Sequence, residues 1–187
     1  MRCSWAEGSK EMAEYHDTEW GVPLRDDRGL FEFLCLEGAQ AGLSWNTILQ
    51  KRAGYRELFH NFEIEKVSAM TDQELEQILL DKRVVRNKLK VFGVRKNALA
   101  AQNVIKEYGS LTEYIWAFTD GQPINNGYQA MEDIPAETEL SNQMSKTLKQ
   151  DGFTFVGSTI CYAFMQATGM VNDHVMDCFR YKEVQNA

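Results

Sequence analysis

The sequence predicts an all-α fold, and three observations predict it. Ser, Thr and Asp recur just ahead of apolar residues at helical spacing, the pattern of helix starts. Only three prolines occur in 187 residues, too few for a turn-rich all-β chain. No strand–helix alternation and no internal repeat is present. Taking the elements in order, Asp26 or Asp27 caps a helix through LFEFLCLEGAQ. Ser44 caps a second through WNTILQKRAGYRELF. Thr71 and Glu74 form a T-x-x-E capping box for DQELEQILLD. A long helical pattern runs from about Arg86 to Tyr108 and stops at Gly109. Ser110 and Glu113 box the start of LTEYIWAF. Residues 119–136 are polar, hold two of the prolines and read as a long loop. Helical pattern resumes near Thr138, stops at Gly152, and returns in STICYAFMQAT up to Gly169. FTFVG between them looks strand-like but has no partner run with which to build a sheet.

Composition places the chain among ordinary globular domains. It is 44% hydrophobic and 25% charged, which excludes a disordered or collagen-like chain. A single domain over residues 1–187 buries roughly 70% of its unfolded surface and needs no staple merely to fold. The start, MRCSWAEGSKEM, lacks the apolar core of a secretory signal. No run approaches a membrane span. Four cysteines in such a chain read as thiols or metal ligands rather than as a disulfide framework. The expectation is a cytoplasmic monomer with no membrane partner.

Charge is segregated. The net charge is −7, yet Lys82 to Lys106 contains eight basic residues and no acidic one. A basic window on an acidic protein suits a local phosphate-binding face. A solvated helix face paired with acidic neighbours accounts for it equally well. Between the last two long helices, Gly157 precedes Ser158 and Thr159. The free N–H groups of a helix start beside a glycine can receive a DNA phosphate. An ordinary tight connection would look the same.

Two pairs of metal-type residues sit at opposite ends of the chain: Cys3 with His16, and His174 with Cys178. On a helix, His174 and Cys178 would share one face. Two thiolates and two imidazoles make a closed tetrahedral zinc set, structural rather than catalytic. It would tie the N-terminal segment, about 1–20, to the C-terminal one, about 170–180. Cys-x12-His is no familiar half-motif, so spacing alone leaves free thiols open. Cys35 and Cys161 lie in apolar runs and read as buried, and His60 reads as a surface residue.

One carboxylate is out of place. Leu30, Phe33, Leu34, Glu37 and Ala41 share a stripe that should be apolar. A buried carboxylate is costly unless paired, so Glu37 is a candidate for proton chemistry or for a polar or cationic ligand. Trp45 follows, and Trp5, Tyr15 and Trp20 crowd the first segment. Aromatic faces around a carboxylate suit a flat cationic ring. A Glu that caps a neighbouring helix, with the aromatics as core, is the alternative.

EYHDTEWGVP (14–23), LEGAQAGLSWNTILQKR (36–52), VVRNKLK (84–90) and FVGSTICYAFMQATGMVNDH (155–174) together resemble the DNA-3-methyladenine glycosylase I family. These are base-excision repair enzymes of the helix-hairpin-helix glycosylase superfamily. The resemblance runs from Cys3 to Cys178. It implies a helix-hairpin-helix glycosylase fold with the hairpin at about 138–169, and release of 3-methyladenine from alkylated double-stranded DNA after base flipping. The family's zinc ligands fall on Cys3, His16, His174 and Cys178. Its base-recognising carboxylate falls on Glu37, its pocket tyrosine on Tyr15, and its stacking tryptophan on Trp45. Trp5 and Trp20 match aromatic positions near the pocket. Gly157, Ser158 and Thr159 match the hairpin that grips DNA. Arg86, Lys88 and Lys90, from the basic window, are expected to add phosphate contacts.

Two departures stand out. Many members carry a tyrosine three residues before Tyr15, where this chain has Met12. The superfamily's catalytic aspartate in V-D-x-H is replaced, since Val171-Asn172-Asp173-His174 puts Asn172 at that position. Asp173 is then expected to support a metal ligand. No lysine nucleophile is evident, which disfavours lyase chemistry. A non-catalytic helix-hairpin-helix module that binds DNA damage is the second reading. A zinc hydrolase would need an open coordination position.

Overall fold

The computed structural model describes residues 1–186. Helices hold 64% of the chain and strands 2%, so the all-α expectation holds. The helices are α1 (Lys10–Thr18), α2 (Asp27–Gln40), α3 (Trp45–Leu58), α4 (Ile64–Ser68), α5 (Asp72–Ile78), α6 (Lys88–Tyr108), α7 (Leu111–Trp116), α8 (Glu139–Gln150), α9 (Ser158–Ala167) and α10 (Arg180–Glu183). A 3-10 turn, Ser4–Gly8, precedes α1. No helix among the described residues is long and apolar enough to cross a membrane.

α2 is the central element. Its residues from Leu30 to Ala39 are all buried, and α3, α6, α7 and α9 pack around it. Asp26 is the cap, accepting from the Gly29 N–H at 3.0 Å. Asp27 turns away and accepts from the N–H groups of Leu111 and Thr112, so it holds the start of α7 instead. Phe31 is fully buried against Phe62. Truncating it to Ala would cost about 3–5 kcal/mol, because transfer and cavity terms add.

Most helix starts fall where their caps placed them. Ser44 accepts from the Thr47 N–H, and Thr71 and Glu74 close a complete capping box. The long helix α6 begins two residues late, because Asn87 caps it and leaves Arg86 outside. Gly109 ends it at φ +94°, a conformation only glycine adopts cheaply. Helix α1 was not foreseen. Ser9 caps it, but the residues it buries are Tyr15 and His16 rather than aliphatics, so it carries no ordinary apolar stripe.

Two further expectations need correction. The loop at 119–136 is not wholly irregular: Ile124–Asn125 pairs in parallel with Val171–Asn172. FTFVG builds no sheet, as expected, and is the turn between α8 and α9. Residues 174–178 are not helical, so His174 and Cys178 meet through a turn, closed by the Cys178 N–H on the Val175 carbonyl.

The hairpin α8–turn–α9 is fastened from inside. Ser145 Oγ donates to the Val156 carbonyl at 2.6 Å. Buried Asn97 of α6 donates to the Thr154 carbonyl and accepts from the Thr154 N–H. Phe155 packs against Gly38 and Gly93, and a Cβ at either glycine would crowd it. The turn therefore rests on both α2 and α6.

Candidate active site

A cavity of about 260 Å³ opens where α1, α2, α3 and α9 meet the 119–136 segment. Tyr15, Trp20, Glu37 and Trp45 line it, together with Trp5 and Met12. The structure thus brings together every residue expected around the base, from four separate stretches of sequence. Five more wall residues were not foreseen: Gln40, Met131, Ile134, Ala163 and Gln166. Ala163 and Gln166 are three apart on α9 and share its face, a spacing that could have flagged them once Glu37 was located.

Two buried glutamates on α2 show what distinguishes a site from a strut. Glu32 accepts from Arg52 at 2.6 Å and from Arg56 at 2.8 Å. Glu37 is equally buried, yet its Oε2 has no hydrogen-bond partner. Burial raises its pKa to about 8. Tyr15 Oη and Trp45 Nε1 are likewise buried and unpartnered. The Tyr15 phenol is pushed up by burial and then by the Glu37 charge, so the two groups sense each other. Leaving a buried polar atom unpaired costs about 1–3 kcal/mol. Three such atoms share one cavity wall, and Glu37 accepts from no helix N–H among the described residues, so it caps no neighbouring helix.

The aromatic walls interlock. Tyr15 lies 5.5 Å from Trp45 and 6.3 Å from Trp5, ring centroid to centroid. Trp5 meets Trp20 edge-on at 5.0 Å. Trp20 in turn meets His174 edge-on at 4.6 Å, so the cavity wall abuts the Cys/His cluster.

Cys3, His16, His174 and Cys178 converge, with their ligand atoms all within 4.8 Å of one another. Cys178 Sγ lies 3.4 Å from His16 Nε2 and 3.5 Å from His174 Nδ1. A tetrahedral zinc ion would set such S···N edges at about 3.5 Å. The outward nitrogens are also engaged: His16 Nδ1 faces Asp17 at 2.8 Å, and His174 Nε2 donates to the Trp20 carbonyl at 2.9 Å. That is how metal-binding imidazoles are oriented. Burial pushes the Cys3 thiol up to about 12 and His174 down to about 4. The imidazole is therefore in its neutral, ligating form, while a Cys3 thiolate requires a cation beside it. The donor set fits a metal ion held by four protein ligands. Cys35 and Cys161 are buried elsewhere, and His60 is exposed, as expected.

Asp173 does not support this cluster. It accepts from Asn126 Nδ2, the Tyr162 hydroxyl and Gln166 Nε2, fastening the 119–136 segment to α9. Asn172 faces away from the cavity: its Nδ2 donates to Asn125 Oδ1 and to the Tyr181 carbonyl. Among the described residues, Glu37 is the one carboxylate lining the cavity.

The basic window is less free than its charge suggests. Arg83 pairs with Asp81 and Glu57, and Arg95 with Asp72. Lys90 departs most from expectation. Its ammonium donates to the Ala39 and Ala41 carbonyls at 2.9 and 2.6 Å, closing the end of α2. Arg86 and Lys88 are exposed and form no ion pair among the described residues. Gly157 is the N-cap of α9, with Ser158 and exposed Thr159 in its first turn.

Comparison with known proteins places the chain in a family. A family model described as methyladenine glycosylase matches residues 5–181. DNA-3-methyladenine glycosylase 1 of Escherichia coli (strain K12) is 43% identical over 96% of each chain. The DNA-3-methyladenine glycosylase of Haemophilus influenzae is 42% identical over 95% of this chain and 96% of its own. A crystal structure of 3-methyladenine DNA glycosylase I superposes with a TM-score of 0.92 at 43% identity, covering 96% of this chain and 98% of that one. A variant of 3-methyladenine DNA glycosylase I in complex with 3-methyladenine gives 0.93 at 34% identity, over 95% of this chain and 96% of that one. On sequence and fold together, the chain belongs to the methyladenine glycosylase family.

Proposed function

We propose that this protein hydrolyses the N-glycosidic bond of 3-methyladenine in alkylated double-stranded DNA, as a single domain without lyase chemistry. The observation that carries the reading is the trio of unpartnered buried atoms, Glu37 Oε2, Tyr15 Oη and Trp45 Nε1, on the wall of an aromatic cavity. The glycosylase identity of the relatives favours an enzyme over a non-catalytic damage-binding module.

The lesion supplies much of the reactivity. Methylation at N3 makes the base cationic and a good leaving group. Extrusion from the stack brings it into the cavity. Glu37 accepts hydrogen bonds from its edge and offsets its charge. The faces of Trp45 and Tyr15 add cation–π attraction of about 0.5–2 kcal/mol each. A normal adenine is neutral and forfeits these charge-dependent contributions. The C1′–N9 bond breaks with its electron pair leaving on the base. Water bonds to C1′, and its proton passes to solvent. Met12 replaces a phenol on one wall with a flexible thioether, which makes that wall less polar.

Gly157, Ser158 and Thr159 would hold a DNA phosphate at the N-terminus of α9, with Arg86 and Lys88 adding contacts. Cys3, His16, His174 and Cys178 would hold one structural zinc ion that ties the two ends of the chain beside the cavity. The test is release of free base from methylated duplex DNA, resolved by chromatography, with Glu37→Gln alongside. Wild type should release 3-methyladenine and the variant little of it. Full release by the variant would sink the role given to Glu37.

A further inference from the structure

We infer that Gln166 is a specificity-determining residue that presents a fixed hydrogen-bond acceptor to the flipped base and reads the substituent at purine position 6. The inference rests on the glycosylase reading above.

Gln166 lines the cavity from α9, one turn beyond Ala163, whose small side chain leaves room for a ring. A free glutamine amide can turn over and offer either its donor or its acceptor. This one is held. Its Nε2 donates to Asp173 Oδ2 at 2.9 Å. Asp173 is itself 1% exposed and collects two other donors, Asn126 Nδ2 and the Tyr162 hydroxyl. Turning the amide would set Gln166 Oε1 against the carboxylate oxygen Asp173 Oδ2, acceptor against acceptor, while Tyr162 still donates to that oxygen. With nitrogen on Asp173, the oxygen on the same carbon is directed away from Asp173, on a side chain that lines the cavity. That oxygen makes no hydrogen bond among the described residues.

The cavity then offers two acceptors from different helices, Glu37 on α2 and Gln166 on α9. A 6-amino group carries two hydrogens and can satisfy both. A 6-oxo group carries none and places oxygen against oxygen. A site built to receive an N–H rejects the analogue that lacks it far more strongly than it rejects a change of size. N3-methylated guanine carries the same cationic charge as N3-methylated adenine, so charge alone does not separate them. Asp173 is a positioning residue in this scheme, acting through Gln166.

The experiment measures release of 3-methyladenine and 3-methylguanine from the same methylated duplex, as a ratio of kcat/KM values. Both products come from one enzyme sample, so the active fraction cancels. Gln166→Met keeps the length and removes the amide. It should lower the adenine-to-guanine ratio about tenfold, chiefly by slowing adenine release. Asp173→Asn lets the amide turn over, and it should narrow the ratio by raising guanine release. A Gln166→Met ratio within twofold of wild type would overturn the proposal, even if Asp173→Asn does not fold. So would a folded Asp173→Asn variant with the wild-type ratio. A wild type that releases neither base would overturn the glycosylase reading instead.

Discussion

Replacing Glu37 with Gln should make the protein more stable, and increasingly so as pH rises. The ordinary glutamate pKa is 4.5, and burial lifts Glu37 to about 8. A carboxyl with a raised folded pKa binds its proton more tightly when folded. Its contribution to stability is intact below about 4.5, declines through the interval, and is fully lost above about 8. Each pH unit inside the interval is worth about 1.4 kcal/mol. Between pH 5.5 and 7.5, wild type should therefore lose on the order of 3 kcal/mol relative to the glutamine variant, which has nothing to ionise there. Every other titrating group is common to both proteins and drops out of the difference. Urea unfolding of both at the two pH values reads it directly. At about 2 kcal/mol per molar urea, the gap between midpoints should widen by about 1.5 M. Parallel pH dependence would refute the argument, because it would mean that Glu37 is solvated or paired in the folded protein. The same variant should lose excision, so the carboxylate would be a cost to the fold that function retains.

Four further outcomes follow from the same structure. The wild-type kcat/KM for the cationic lesion should rise with pH up to about 8 and then level off, because the ionised Glu37 is the binding form; a flat profile from pH 6 to 8 would contradict this. Glu32→Gln should destabilise by about 1–3 kcal/mol, measured by urea unfolding, because Arg52 and Arg56 lose the charge of their shared buried carboxylate while Arg52 keeps Glu19. Arg86→Glu with Lys88→Glu should weaken duplex binding and flatten its salt dependence, whereas Lys90→Glu should lower the melting temperature, because Lys90 closes α2. Cobalt loaded into the Cys/His cluster should give a tetrahedral thiolate spectrum, and Cys178→Ser should abolish it together with several degrees of melting temperature.

Caps and apolar spacing made most of the fold legible. Ser44, Thr71, Ser110 and Thr138 each mark a helix within a residue of its start. Glu37 was legible because it breaks an apolar stripe. What escaped reading has a physical cause in each case. Helix α1 buries site residues in place of aliphatics, so periodicity had nothing to register. Glu32 breaks the same central helix as Glu37, but its arginine partners lie about 20 residues away and only the fold reveals them. Lys90 contributes charge to a basic run, while its ammonium is committed to two carbonyls across a helix junction. Gln166 and Asp173 are ordinary polar residues in sequence, and their roles exist only once the 119–136 segment is folded back onto α9.

The meeting of the two ends has a topological consequence. Cys3 and Cys178 enclose almost the whole chain, and the Phe179 N–H donates to the Met1 carbonyl at 3.1 Å. In space the molecule is a ring whose clasp is the Cys/His cluster. A clasp that closes so long a loop acts largely on the unfolded chain, by restricting the distance between its ends. A covalent peptide could assume that task. A circular permutant, with a short linker from residue 186 to residue 1 and new ends at the exposed Ala136–Glu137 bond, should fold with much less dependence on a bound metal. It would separate the clasp's tethering of the chain from its second effect, holding Trp20 in place on the cavity wall.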